Sequence, residues 1–163
     1  MDQIDRDLLH LLEEDSRIAV EELATMLETT AEEVAARMAT LEEAGVIRKY
    51  SAVIDWERAG NGEVSAIIEL KVSPERDFGY DRLAERISRF KQVRSMRLIT
   101  GTYDLQLQVT GRNMQEVARF VSERIATMEQ IRETATHIVM KSYKENGTVL
   151  FTRETDERIP FSF

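Results

Sequence analysis

Apolar residues recur at helical spacing over residues 2–14, where Ile4, Leu8, Leu11 and Leu12 form one stripe and predict an amphipathic helix. Asp2 stands where its N-cap belongs, and Asp5 lies in the first turn, near the positive end of the helix dipole. Val20, Leu23, Ala24 and Leu27 predict a second helix over about 20–27. A third, over about 31–43, carries Val34, Met38 and Leu41 inward and opens with Thr30-Ala31-Glu32-Glu33. In such a capping box the Thr30 hydroxyl accepts from the third amide while Glu33 reaches back. Gly45 marks its end. Three short helices, the last two separated by Glu28-Thr29-Thr30, fit a helix-turn-helix.

The period then changes. Val46–Ile54 is rich in β-branched residues and is expected to be a strand, the wing beside the helices. Residues 55–63, with Gly60-Asn61-Gly62, are expected to be a linker or turn. Beyond it, strands are predicted over 64–72, 93–100, 103–110 and 131–144, with helices over 81–90 and 114–128. The 103–110 strand alternates sharply, Tyr103, Leu105, Leu107 and Val109 against Asp104, Gln106, Gln108 and Thr110. The order β-α-β-β-α-β is the ferredoxin-like arrangement, with both helices on one face of an antiparallel sheet. The expected fold class is therefore α+β, a winged helix-turn-helix followed by a ferredoxin-like βαββαβ sandwich. The expected division is 1–47 for the helical domain, 48–63 for strand and linker, 64–147 for the second domain and 148–163 for a tail. Ile67, Ile99 and Val139 put apolar side chains on the uncovered sheet face, so a second copy is expected across it.

Charge changes this picture. The net charge is −8 over 163 residues. Residues 1–50 hold thirteen Asp/Glu against five Lys/Arg, and the remainder holds seventeen of each. All the excess acid therefore lies on the three helices, which marks two units with different surfaces. Cysteine is absent, excluding disulfides and thiolate metal sites, and no apolar run has the roughly 20 residues of a membrane span. An acidic start without a basic leader makes the cytoplasm the expected compartment.

Several segments together resemble one family. Asp2-x-x-Asp5-Arg6-x-Leu8-Leu9, Asp15-x-Arg17 with Glu22-Leu23-Ala24, and Arg37-Met38 with Leu41-Glu42-x-x-Gly45-Val46-Ile47-x-x-Tyr50 are similar to the DNA-binding half of the Lrp/AsnC (feast/famine) regulators. Thr100-Gly101-Thr102-Tyr103-Asp104-Leu105 resembles their Gly-x-Tyr-Asp turn, and Thr134-Ala135-Thr136-x-Ile138-Val139 their closing strand. The resemblance runs from about residue 2 to 144. It implies a transcription regulator that binds double-stranded DNA and responds to an amino acid or similar small metabolite at an oligomer interface. It implies a homodimer, with an octamer among the larger assemblies. The DNA-binding candidates are then Arg17, Thr30, Arg37, Thr40, Arg48 and Lys49. The effector-binding candidates are Gly101, Tyr103, Asp104, Thr134 and Thr136.

The chemistry of these residues can be weighed directly. An α-amino acid needs a carboxylate for its ammonium group, which Asp104 would supply, and donors for its carboxylate, which the Gly101 amide and the Thr134 and Thr136 hydroxyls would supply. The plainer reading makes Gly101-Thr102 a hairpin turn and the threonines strand formers. DNA affinity comes from Lys and Arg on phosphates. Here the positions around Arg37 are Ala36, Ala39 and Thr40, flanked by Glu32, Glu33, Glu42 and Glu43, a departure from the family's basic helix. Arg17, Arg37, Arg48 and Lys49 form at most a thin basic rim. Glu33 also stands four residues before Arg37, the spacing of a surface ion pair. Two alternatives follow: a ligand-sensing oligomer whose degenerate helix-turn-helix binds a protein, and an enzyme resembling the sirohaem decarboxylases. The second lacks its histidine, because the turn here is Gly101-Thr102-Tyr103-Asp104. With only His10 and His137, and no phosphate, dinucleotide or nucleophile-elbow motif, no enzyme activity, metal or cofactor is expected.

Overall fold

A computed structural model describes residues 1–60, 62–74 and 79–150; the sequence readings for Asn61 and for residues 151–163 of the tail lie outside them. The described residues divide into two compact units, residues 1–53 with 144–149, and residues 54–143 with 150.

The first unit is built on α1 (Gln3–Glu14), α2 (Val20–Met26) and α3 (Ala31–Glu43). Leu8, Leu12, Leu23, Ala24, Val34 and Leu41 form its core, the stripes that the sequence displays. Asp2 and Asp5 close a full capping box on α1. At α3, Thr30 Oγ1 accepts from the Glu33 amide at 3.2 Å. The Glu33 side chain does not return to the cap as the sequence suggests; it turns along the helix toward Arg37. Gly45 ends α3 with φ +68°, a left-handed conformation that suits glycine.

The strand expected over Val46–Ile54 is not formed. β-branched composition favours an extended backbone, but a strand exists only with a ladder partner. The nearest strands of that unit, β5 (Lys144–Glu145) and β6 (Thr148–Val149), pair with each other. The long closing strand predicted to residue 144 accordingly stops at Ile138, and the chain turns into this hairpin instead.

The second unit carries β1 (Val64–Val72), α4 (Asp81–Ser88), β2 (Val93–Leu98), β3 (Leu105–Gly111), α5 (Met114–Phe120) and β4 (Ile131–Ile138). The sheet is antiparallel in the order β2-β3-β1-β4, the ferredoxin-like topology. Ala66 pairs with Val109 and Ile138, Ile68 with Leu107 and Thr136, and Leu70 with Leu105 and Thr134. Directly paired residues point to the same face, so this set faces the helices. Its buried members meet Leu83 and Ile87 of α4 and Phe120, Val121 and Ile125 from the α5 segment. Phe90 and Phe120 lock the two helical segments edge to face, with centroids 5.3 Å apart. The helix predicted over 114–128 contains a wide turn, Val121–Ile125, closed by Ala126 N–H donating to Val121 O at 2.8 Å. That wider turn keeps Val121, Ile125 and Met128 all buried.

Ser65, Ile67, Glu69 and Lys71 of β1 point to the other face, with Gln106, Gln108 and Thr110 of β3 and Glu133, Ala135 and His137 of β4. This face is more polar than the apolar Ile67, Ile99 and Val139 suggest from sequence. No described helix is long and apolar enough to cross a membrane.

Candidate nucleic-acid interface and ligand site

The exposed side of α3 follows from its buried side. Val34, Met38 and Leu41 face the core, so Glu32, Ala36, Ala39, Thr40 and Glu43 line the opposite surface, and all five are exposed. Thr40 bonds its hydroxyl back to Ala36 O at 2.9 Å, within its own helix. Thr30 is committed to the cap of α3.

Arg37 is engaged inside the unit. Its Nη1 donates to Asp2 Oδ2 at 2.8 Å and to Asp5 Oδ1 at 2.7 Å. Its Nη2 and Nε both donate to Glu33 Oε1, at 2.7 and 3.0 Å. Its hydrogen bonds to Glu33, Asp2 and Asp5 hold its proton even more firmly than usual. Reciprocally, each carboxylate lies below its ordinary range: Asp2 and Asp5 chiefly through each other's backbone amides and then Arg37, Glu33 chiefly through Arg37. The Glu33 spacing is visible in the sequence, whereas Asp2 and Asp5 reach Arg37 only through the packing of α1 against α3.

The structure brings the other three basic candidates together elsewhere. Arg17, Arg48 and Lys49, with Arg6 and His10, line a groove of about 1060 Å³ whose wall contains no residue of α3. Glu13, Glu14 and Asp15 share it. Arg48 packs its guanidinium over Gly45, with Cζ 3.4 Å from where a Cβ would stand. Tyr50 also lines the groove and donates to Glu42 Oε1 at 2.8 Å. Burial first, and then that carboxylate, push its hydroxyl up to about 12. Nothing in the sequence assigns Arg6 and His10 a role in DNA binding, because their α1 positions signal only a solvated helix face.

In the second unit, the turn between β2 and β3 lies against the C-terminal end of β1. Asp104 N–H donates to Leu70 O at 2.9 Å, and Val72 N–H donates to Asp104 Oδ2 at 2.7 Å. The Tyr80 hydroxyl donates to Asp104 Oδ1 at 3.3 Å. Both oxygens of the expected ammonium partner are therefore used within the domain, where they tie the turn to β1 and to the start of α4. The β1–β4 register shifts at Lys71/Val72, beside this anchor. Gly101 has φ +123° and open space around it. Tyr103 reaches β4, its hydroxyl donating to Glu133 Oε1 at 3.4 Å. Burial, followed by the Glu133 charge, raises that phenol above its usual range.

Thr134 and Thr136 pair with Leu70 and Ile68 and so lie on the helix side of an edge strand. Glu133 and His137 occupy the opposite face, where His137 Nε2 sits 3.2 Å from Glu69 Oε2. The candidates thus cluster at one end of the sheet but divide between its two faces. Glu133, Tyr80 and Glu69 complete the cluster and carry no sequence signal beyond being polar. Among the described residues, no group of three or more His, Asp or Glu is placed to hold a metal ion.

Comparison with known proteins matches two segments of the chain. Residues 1–42 match the AsnC-type helix-turn-helix domain, and residues 65–149 match the Lrp/AsnC ligand binding domain. The HTH-type transcriptional regulator YugG of Bacillus subtilis is 41% identical over 157 residues, 96% of this chain and 95% of that protein. The leucine response regulatory protein of Mycobacterium tuberculosis superposes with a TM-score of 0.73 at 26% identity, covering 92% of this chain and 99% of that one. An AsnC family regulator from Agrobacterium tumefaciens gives 0.69 at 28% identity, over 89% and 94%. A capped helix-turn-helix and a ferredoxin-like domain with its Gly-x-Tyr-Asp turn, matched over nearly the full length of such relatives, place the chain in the Lrp/AsnC family of helix-turn-helix transcriptional regulators.

Proposed function

We propose that this regulator binds duplex DNA as a homodimer or larger homo-oligomer, and that an amino acid or similar small metabolite modulates it from the sheet end around Gly101, Tyr103, Asp104, Thr134 and Thr136. The observation that carries this reading is the anchored turn. Asp104 fixes it to β1 and α4, while Gly101 and the Tyr103–Glu133 pair remain at the surface. A ligand there would meet a positive-φ backbone amide, a phenol and an exposed carboxylate, the groups that bind a zwitterion. Asp104 then acts by shaping the turn. The leucine response regulator among the structural relatives supports an amino-acid ligand.

On the DNA side, Arg17, Arg48 and Lys49 supply phosphate contacts beside α3, and Thr40 stands on the exposed helix face. With few cations and an acidic surface, binding is weak, and its salt slope is set by the small number of phosphate contacts. A ligand bridging dimers changes the spacing of the recognition helices by shifting the assembly equilibrium. A thermal-shift screen of the common amino acids tests the sensing half: a ligand at 100 times its Kd adds about 2.7 kcal/mol of stability. Fluorescence anisotropy at low salt against genomic duplexes tests the other half. No midpoint shift with any amino acid, or no binding to any duplex, refutes the corresponding half.

A further inference from the structure

We propose that Arg37 is a positioning residue of the DNA-binding unit: it clasps the capped start of α1 to the middle of α3 and so sets how the exposed face of α3 meets the groove, without touching DNA itself. The proposal rests on the DNA-binding reading above. Arg37 is the only cation on α3, which would ordinarily make it the first choice for a phosphate or guanine contact. Its surroundings oppose that role. Four hydrogen bonds to three carboxylates occupy the guanidinium, and the side chain is 22% exposed. The guanidinium and the Met1 ammonium, which stands 3.9 Å from Asp5 Oδ2, are two positive charges among three carboxylates and leave the spot negative, so an approaching phosphate meets repulsion and must displace short charge-assisted bonds.

The clasp and the helix cap are one network. Asp2 Oδ1 accepts from the Asp5 amide, and Asp5 Oδ2 from the Asp2 amide. The remaining oxygen of each carboxylate takes Arg37 Nη1. On the other side Thr29 Oγ1 donates to Glu33 Oε2 at 3.1 Å and fixes the carboxylate that receives Nε and Nη2. Only the planar fork of arginine spans three acceptors in this way; a lysine ammonium would satisfy a phosphate equally well but not this arrangement.

The test uses the full chain and a duplex enriched by the wild type from a random library. If Arg37 positions α3, Asp2→Asn/Asp5→Asn weakens binding about tenfold even though it removes two negative charges. Glu43→Gln, which removes charge on the same exposed face without touching Arg37, does not weaken it. Arg37→Gln weakens binding to a similar extent but leaves the salt slope at its wild-type value, Arg37→Lys does not restore the affinity, and the loss from Arg37→Gln does not add to that of Asp2→Asn/Asp5→Asn. Thermal midpoints confirm that each protein is folded at the assay temperature. Asp2→Asn alone, at an exposed position, replaces any variant that is not, and is expected to weaken binding in the same direction. The proposal is overturned if Asp2→Asn/Asp5→Asn leaves affinity unchanged or raises it, or if Arg37→Gln lowers the salt slope by about one. If the wild type enriches no duplex, the DNA-binding reading itself fails; if it does and these variants bind like it, only the clasp fails.

Discussion

Asp104 shows how much one side chain decides. The Val72 amide and the Tyr80 hydroxyl both bond to its carboxylate in a partly buried place. Asp104→Ala leaves that amide without its acceptor and should cost about 1–3 kcal/mol in urea unfolding. Asp104→Asn, which keeps an acceptor for Val72, should cost distinctly less; equal losses would show that the charge, not the hydrogen bond, matters. The carboxylates around Arg37 make a second prediction. Asp2, Asp5 and Glu33 have folded-state values below their ordinary 3.8, 3.8 and 4.5. The unfolded chain therefore binds protons first as pH falls, and the stability these groups contribute is complete above about pH 5 and drains as pH drops through the depressed values. The triple variant Asp2→Asn/Asp5→Asn/Glu33→Gln should show a flatter stability profile between pH 5 and pH 2.5 by circular dichroism (about the span over which these acids titrate). A profile parallel to the wild type would remove the clasp from the acid response.

Packing constraints at the level of elements are equally specific. Gly111 ends β3 and lies under α5, where a Cβ would stand 3.0 Å from Val117 Cγ2. Gly111→Ala should destabilise by about 1–3 kcal/mol, the usual cost of overpacking. Adding Val117→Ala removes the clashing methyl, so the double variant should lose less than the two single losses combined. Strict additivity would mean that the crowding is relieved by some other movement. The helices were legible as elements because a stripe of leucines names its own buried face. The 46–54 segment has strand composition yet forms no strand, because composition reports a preference for extended backbone and nothing about whether a partner strand is in reach. The wide turn in the α5 segment was invisible too, since Val117, Phe120, Val121, Ile125 and Met128 fit an ordinary helix closely enough.

At the scale of the molecule, the described residues form two apolar cores, one around Leu8, Leu23 and Val34 and one around Ile68, Leu107 and Ile125. Leu8→Ala and Leu107→Ala, both at fully buried positions, should each cost about 2–5 kcal/mol. Hydrogen exchange should locate the losses differently, in α1–α3 for the first and in the β-sheet for the second. Loss of protection across the entire chain in both variants would show one cooperative unit. The same division holds for charge: the excess acid lies on the helices of the first unit, where part of it serves caps and the Arg37 clasp instead of opposing DNA uniformly.

The amino-acid sequence alone determined the local decisions: where helices start and stop, which face of each is apolar, and which strands alternate, because capping and periodicity act within a few residues of one another. It also displayed the Gly-x-Tyr-Asp turn and the Glu33–Arg37 spacing. Only tertiary structure decided what those groups bond. Asp104 meets Val72 and Tyr80 across 32 and 24 residues, and Arg37 meets Asp5 and Asp2 across 32 and 35. Hydrogen bonds and ion pairs act over a few ångströms, so the partners of a charged side chain are settled by which elements the core brings side by side, and no local pattern encodes that choice.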